Sequence, residues 1–244
     1  MKKKIILGLA AAGTALAMLP LFAAFEAHVI NVTAHIENAL SVPIEDRELQ
    51  FGTVFPQEEF DKTFQLSLSS SFLEQERLDD VEYVIRQKPK CTTASSTLPQ
   101  FGLVTEDGQG NFVCEDEENY DMMPLLCPYL SKHDGDPEDG NDTGLNAFHG
   151  LPGPWTLSTT LAYQAFGKLV QSDEDFTDSW IIDLKVPCFK GSCAQDWDEF
   201  VETESASSTI NANDYMADPE DEEKLFGCDL WIEVTDYSET ETPT

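Results

Sequence analysis

Basic side chains are scarce in this chain. It has 14 Lys and Arg against 46 Asp and Glu in 244 residues, a formal charge of −32. A surface of that sign repels phosphate, which excludes nucleic acid and makes anionic lipid a poor partner. Histidine is scarcer still. The four, His28, His35, His133 and His149, form no i, i+4 pair and no His-Glu-x-x-His, so the zinc-protease helix is excluded. The absence of Cys-x-x-Cys removes the usual spacing of a structural zinc site. No Gly-x-Ser-x-Gly marks a nucleophile. Carboxylates are so numerous that a pair occurs at any spacing, and nothing singles out a glycosidase acid and base. No internal repeat of fixed period is present. The chain reads as a non-enzyme without a required cofactor.

What is there begins with an address. Met1-Lys2-Lys3-Lys4 is followed by apolar or small residues from Ile5 to Phe25, the pattern of a secretory signal peptide. Ala23, Ala24 and Ala27 each offer a small residue for cleavage. The rival reading is an uncleaved anchor, so membrane contact is expected only through this segment. Removing residues 1–27 leaves 217 residues at about −34, because the leader carries Lys2, Lys3 and Lys4 but only Glu26. That is enough for one sizeable domain over 28–236, followed by a Thr- and Glu-rich tail, 237–244, that reads as disordered. A secreted or cell-surface location follows. In such a chain the six cysteines, Cys91, Cys114, Cys127, Cys188, Cys193 and Cys228, read as disulfides. Cys188–Cys193 suits a local clip, since Gly191 lets the intervening loop turn. Cys91 pairs with Cys114 or Cys127, leaving Cys228 for the remaining partner.

The organising stretch is Leu49 to Phe72. Phe64, Leu66 and Leu68 alternate with Thr63, Gln65 and Ser67, the period of two that a half-buried strand requires. A shorter strand is expected before the turn at Pro56 to Glu59. Trp180, Ile182, Leu184 and Val186 repeat the pattern over 178–187, and the two faces are expected to close on each other. Ile30, Val32, Ala34 and Ile36 predict a strand at the mature N-terminus, which can pair in its own sheet or complete that of a neighbour. Further strands are predicted at 81–86 and at Leu230, Ile232 and Val234, with a hairpin around Asp107-Gly108-Gln109-Gly110. Met122 to Leu130 suggests a short helix broken by Pro128, and 157–170 reads as extended. The acidic run Asp198 to Lys224 is expected to be a mobile loop. The resulting fold class is all-β: an antiparallel β-sandwich, jelly-roll or Ig-like, with long disulfide-tied loops.

Two features suggest ligands. Asp134, Asp136, Glu138, Asp139 and Asp142 crowd a Gly-containing loop, the donor chemistry of calcium. An EF-hand is excluded, because its sixth position is Asp139 rather than Gly and its twelfth is Leu145. Among the tryptophans, Trp180 is in phase with core positions. Trp231 is out of phase with Leu230 and Ile232, where an exposed ring could serve as a sugar platform. The sequons at Asn31 and Asn141 are acceptors only in a glycosylating host.

A signal peptide followed by Val-Ile-Asn-Val-Thr-Ala, then Leu-x-Phe-Gly-x-Val-x-Pro and Lys-x-Phe-x-Leu-x-Leu-Ser, resembles the exported β-sandwich proteins of the TasA/camelysin type. The likeness covers residues 1–72 and 178–190. It implies a jelly-roll subunit of a biofilm-matrix fibre, with residues 28–36 as the strand donated to the next subunit. The protease activity described for camelysin has no matching motif here. The expected function is therefore structural, with self-association. The alternative is an extracellular module binding carbohydrate or protein, stabilised by calcium.

Overall fold

The computed structural model describes residues 36–43, 45, 48–93, 99–137, 140–207 and 209–239. Ile30, Val32 and Ala34 of the expected assembly strand, the leader, and residues 240–244 lie outside the described residues. Ile36 is described; it belongs to no strand and is 90 % exposed.

In chain order the strands are β1 (Leu40–Ser41), β2 (Glu59–Leu68), β3 (Leu78–Lys88), β4 (Cys91–Thr92), β5 (Phe101–Gly102) and β6 (Val104–Glu106). They continue with β7 (Phe112–Cys114), β8 (Asp121–Met122), β9 (Leu130–Asp134), β10 (Gln164–Val170), β11 (Thr177–Lys185) and β12 (Asp229–Glu239). Three short α-helices interrupt them, α1 (Ser70–Leu73), α2 (Leu157–Ala162) and α3 (Trp197–Glu204). One sheet has the order β1-β2-β11-β9 and the second β10-β3-β12, with small ribbons β5-β4-β8 and β6-β7 beside them. Every pairing between these strands is antiparallel.

The alternation read from the sequence sets the register. Trp180 faces Phe64 across β11 and β2, with Leu66 and Ile182 beside them on the same side, so one face of that sheet is apolar. On β3 the inward positions are Val81, Tyr83 and Ile85, flanked on β10 by Ala165 and Leu169. All of these are buried in a single core cluster, and each large apolar side chain so buried contributes about 1.5–3 kcal/mol. Tyr83 and Trp180 meet edge to face across the interior, ring centroids 6.5 Å apart. A Cβ on Gly167 would stand 2.2 Å from the Tyr83 ring, so only glycine admits that tyrosine beside β10. The antiparallel sandwich expected from the sequence is the fold observed.

One flank of the sandwich is sewn shut. Lys132 of β9 exchanges backbone hydrogen bonds with Leu145 at 2.7 and 2.9 Å, and Thr143 exchanges them with Phe166 of β10 at 2.8 and 3.0 Å. Residues 143–145 thus join the two sheets. On the opposite flank β1 covers β2 only at Ser67 and Leu68. No described strand lies beside Glu59–Phe64 on that side.

Cys91–Cys114, Cys127–Cys228 and Cys188–Cys193 are disulfide-bonded and no cysteine is free. Three disulfides point to an oxidising, extracellular environment. Among the described residues no helix is long and apolar enough to cross a membrane.

Several local expectations are corrected. The segment 48–55 forms no strand, although Leu49, Phe51 and Val54 pack against the core. Residues 157–170 divide into helix and strand. Thr156 caps α2, its side chain accepting from the Thr159 backbone while the Thr159 hydroxyl accepts from the Thr156 backbone, and this box favours helix over extended chain. Pro128 does not break a helix; it opens the 3-10 turn Cys127–Tyr129, which leads into β9. The described residues of the acidic run, 198–207 and 209–224, form defined structure. α3 carries Asp198 and Glu199 in its first turn, where they complement the helix dipole, and Trp197 and Val201 are buried one turn apart. Tyr215 and Ala217 are buried further along, and Ala217 bridges back to Phe189. Their hub is Phe148, whose ring makes edge contacts with Tyr129, Trp197, Phe200 and Tyr215. Phe148 has φ +56°, a left-handed backbone that a bulky residue holds only against strong packing. Finally, the expected tail loses Tyr237–Glu239, which belong to β12.

Candidate functional site

The acidic loop places its carboxylates on neighbouring backbone. Asp136 N–H donates to Asp134 Oδ1 at 2.7 Å, and Lys168 N–H donates to Asp142 Oδ1 at 3.1 Å. Among the described residues no three His, Cys, Asp or Glu side chains gather as a metal site would require. Glu138 and Asp139 lie outside those residues.

A shallow concavity on the outer face of the first sheet collects Glu59, Asp61, His133, Asp183 and Lys185. Ser131 Oγ donates to Asp183 Oδ2 at 3.0 Å, and His133 Nε2 lies 3.1 Å from the same oxygen. Serine and histidine therefore share one carboxylate instead of contacting each other. That geometry does not supply the serine–histidine hydrogen bond by which a histidine activates a serine nucleophile.

Inside the sandwich is a polar cluster that sequence reading missed. Lys132 faces Ile182 in the β9–β11 register, so its side chain enters the core, where it is fully buried. Nζ has no hydrogen-bond partner among the described residues, and desolvation pushes the amine down to about 7. Nearby, His149 Nδ1 lies 2.5 Å from the Asn146 carbonyl. A carbonyl can only accept, so Nδ1 bears the proton, and Nε2 accepts from Gln87 Nε2 at 2.7 Å. Burial first, and the Lys132 charge second, hold His149 down at about 3. Thr160 Oγ1 donates to the Gln87 carbonyl at 2.8 Å, which fixes α2 to the end of β3. Tyr163 and Trp155 ring His149 at 5.4 and 6.4 Å. A buried amine and a buried imidazole that ionise differently in the folded and unfolded chain make stability depend on pH.

The sign of that effect follows from linkage. In the unfolded chain His149 takes a proton below about 6.5, in the folded chain only near 3, so stability falls as pH drops through that window. By pH 5 the loss from this residue is expected to be about 2 kcal/mol. Urea midpoints at pH 7 and pH 5, compared with those of His149→Gln, measure it. Equal losses in both proteins would remove His149 from the account.

The outer face of the second sheet presents different chemistry. Trp231 on β12, Arg86 on β3 and Gln164 on β10 lie directly opposite one another in register, and Glu233, Val84 and Phe166 form the next row outward. Trp231 is 50 % exposed and Phe166 45 % exposed, whereas Trp155, Trp180 and Trp197 are buried. Arg86 Nη1 meets Glu233 at 3.1 Å, and Lys90 Nζ meets Asp229 at 3.2 Å. Lys88 Nζ sits 4.1 Å from the Trp231 ring centroid, within cation–π range. The alternation that put Trp231 out of phase with Leu230 and Ile232 was the signal for this face.

No family model, no curated protein and no solved structure matches the chain.

Proposed function

We propose that this is a secreted or cell-surface structural protein of the extracellular matrix, a subunit that associates with copies of itself through its mature N-terminal strand. The observation carrying the reading is the flank of β2 at Glu59–Phe64, which no described strand covers, on a sandwich locked by three disulfides. A bare strand edge is a template for another chain. Glu59, Asp61 and Lys62 along it disfavour indiscriminate stacking while leaving room for a complementary apolar strand. Residues 28–36, with Ile30, Val32, Ala34 and Ile36 on one face, supply such a strand, as the TasA-type resemblance implies. Export rests on the leader at residues 1–27 and on the disulfides. The test is sedimentation of the mature protein over a concentration series. Concentration-dependent association is expected, and it is expected to be lost on deleting residues 28–36. A protein that stays monomeric at high concentration overturns the reading.

A second reading, an extracellular binding module, is favoured by the half-exposed Trp231. The sequence asks for an exposed Trp231 beside a groove: the ring is exposed, and neither the Glu59–Lys185 concavity nor the one at Cys193 and Trp197 includes it.

A further inference from the structure

Resting on the binding-module reading, we propose that the outer face of the β10-β3-β12 sheet binds a neutral polysaccharide of the cellulose or chitin kind, with Trp231 and Phe166 as stacking platforms. The register separates these rings by two strands and two residues. At ordinary strand and residue spacings that is about 12 Å across an open sheet. Sugars offer C–H-rich ring faces to aromatic side chains, and two platforms so spaced suit alternate rings of one extended chain.

Between the platforms lie the groups that would read hydroxyls. Arg86 and Glu233 are paired at 3.1 Å. A guanidinium and a carboxylate offer donors and acceptors together, which suits vicinal hydroxyls. Val84, directly between Phe166 and Glu233, points outward yet is buried, so its larger neighbours form the contact surface.

Trp231 and Phe166 stand half-exposed on the outside of three paired strands, so a polymer would lie side-on across them. Charge selects the class of polymer. Arg86 and Lys90 are matched locally by Glu233 and Asp229 and Lys88 lies over the Trp231 ring, while the chain as a whole carries −32, so a uronate or sulfate polymer approaches against the overall field.

The test is retention of the mature protein on cellulose, chitin, xylan and an anionic pectate matrix at physiological salt, with Trp231→Ala and Phe166→Ala beside it. Retention on at least one neutral matrix is expected, reduced tenfold or more by Trp231→Ala and less by Phe166→Ala. Unchanged circular dichroism and urea midpoints would show that both variants fold. Binding that survives Trp231→Ala, or that goes only to pectate, overturns this site but leaves the binding-module reading standing. No retention on any matrix overturns this site and the carbohydrate form of the binding-module reading.

Discussion

Replacing Lys132 by methionine is expected to raise stability by about 4 kcal/mol near pH 7 and the melting temperature by about 10 °C. The amine lies wholly inside the sandwich and has no hydrogen-bond partner among the described residues. Desolvation takes it from 10.5 to about 7. The unfolded chain protonates this amine below about 10.5, the folded chain only below about 7. Between those values the unfolded state binds the extra proton, so stability rises with pH; below about 7 the penalty is constant. Methionine keeps the unbranched shape and removes the charge, and buried charges exchanged for well-packed apolar groups are known to stabilise. The gain should shrink as pH rises from 7 to 10 and vanish once the amine is neutral in both states. Urea unfolding of the two proteins across that range gives the answer. If the difference between them does not vary with pH, Lys132 is not the titrating group.

The second large effect is expected at Cys127–Cys228. This bridge spans 101 residues, against 23 for Cys91–Cys114 and 5 for Cys188–Cys193. Closing a longer loop restricts the unfolded chain more, so replacing both Cys127 and Cys228 by alanine should cost about 4–5 kcal/mol, and removing the Cys188 clip about 2. The bridge also has a structural role. Cys127 opens the turn into β9 of one sheet, and Cys228 immediately precedes β12 of the other. Its loss should free β12 first, seen as faster amide exchange at Leu230, Ile232 and Val234 than in the core of β3. The double alanine variants of all three bridges, unfolded under oxidising conditions, should rank by loop length. Equal costs would put the stabilisation in local packing instead.

The sandwich was legible because its central strands alternate without interruption. Phe64, Leu66, Trp180 and Ile182 could be placed on inner faces from period alone, and all four are buried. β9 was not legible. Its stretch Leu-Ser-Lys-His-Asp has a single apolar residue, and its inward position is filled by Lys132, which reads as surface by every compositional rule. The acidic run misled for the opposite reason. Its charge density concealed Val201, Ala212, Tyr215 and Ala217, four inward positions spread over a long segment. On the candidate face, Trp231 was visible from phase. Its partners Arg86, Gln164 and Phe166 were not, because they sit on strands whose order only the fold reveals.

The stitch through residues 143–145 sets the direction in which this molecule can grow. With β9 and β10 already joined, the open edges among the described residues are β12 and, beyond the short β1, the Glu59–Phe64 stretch of β2. Two copies meeting there through like edges make a closed twofold pair that goes no further. A filament therefore needs a donor and an acceptor that differ, and the proposed assembly assigns the donor's part to residues 28–36.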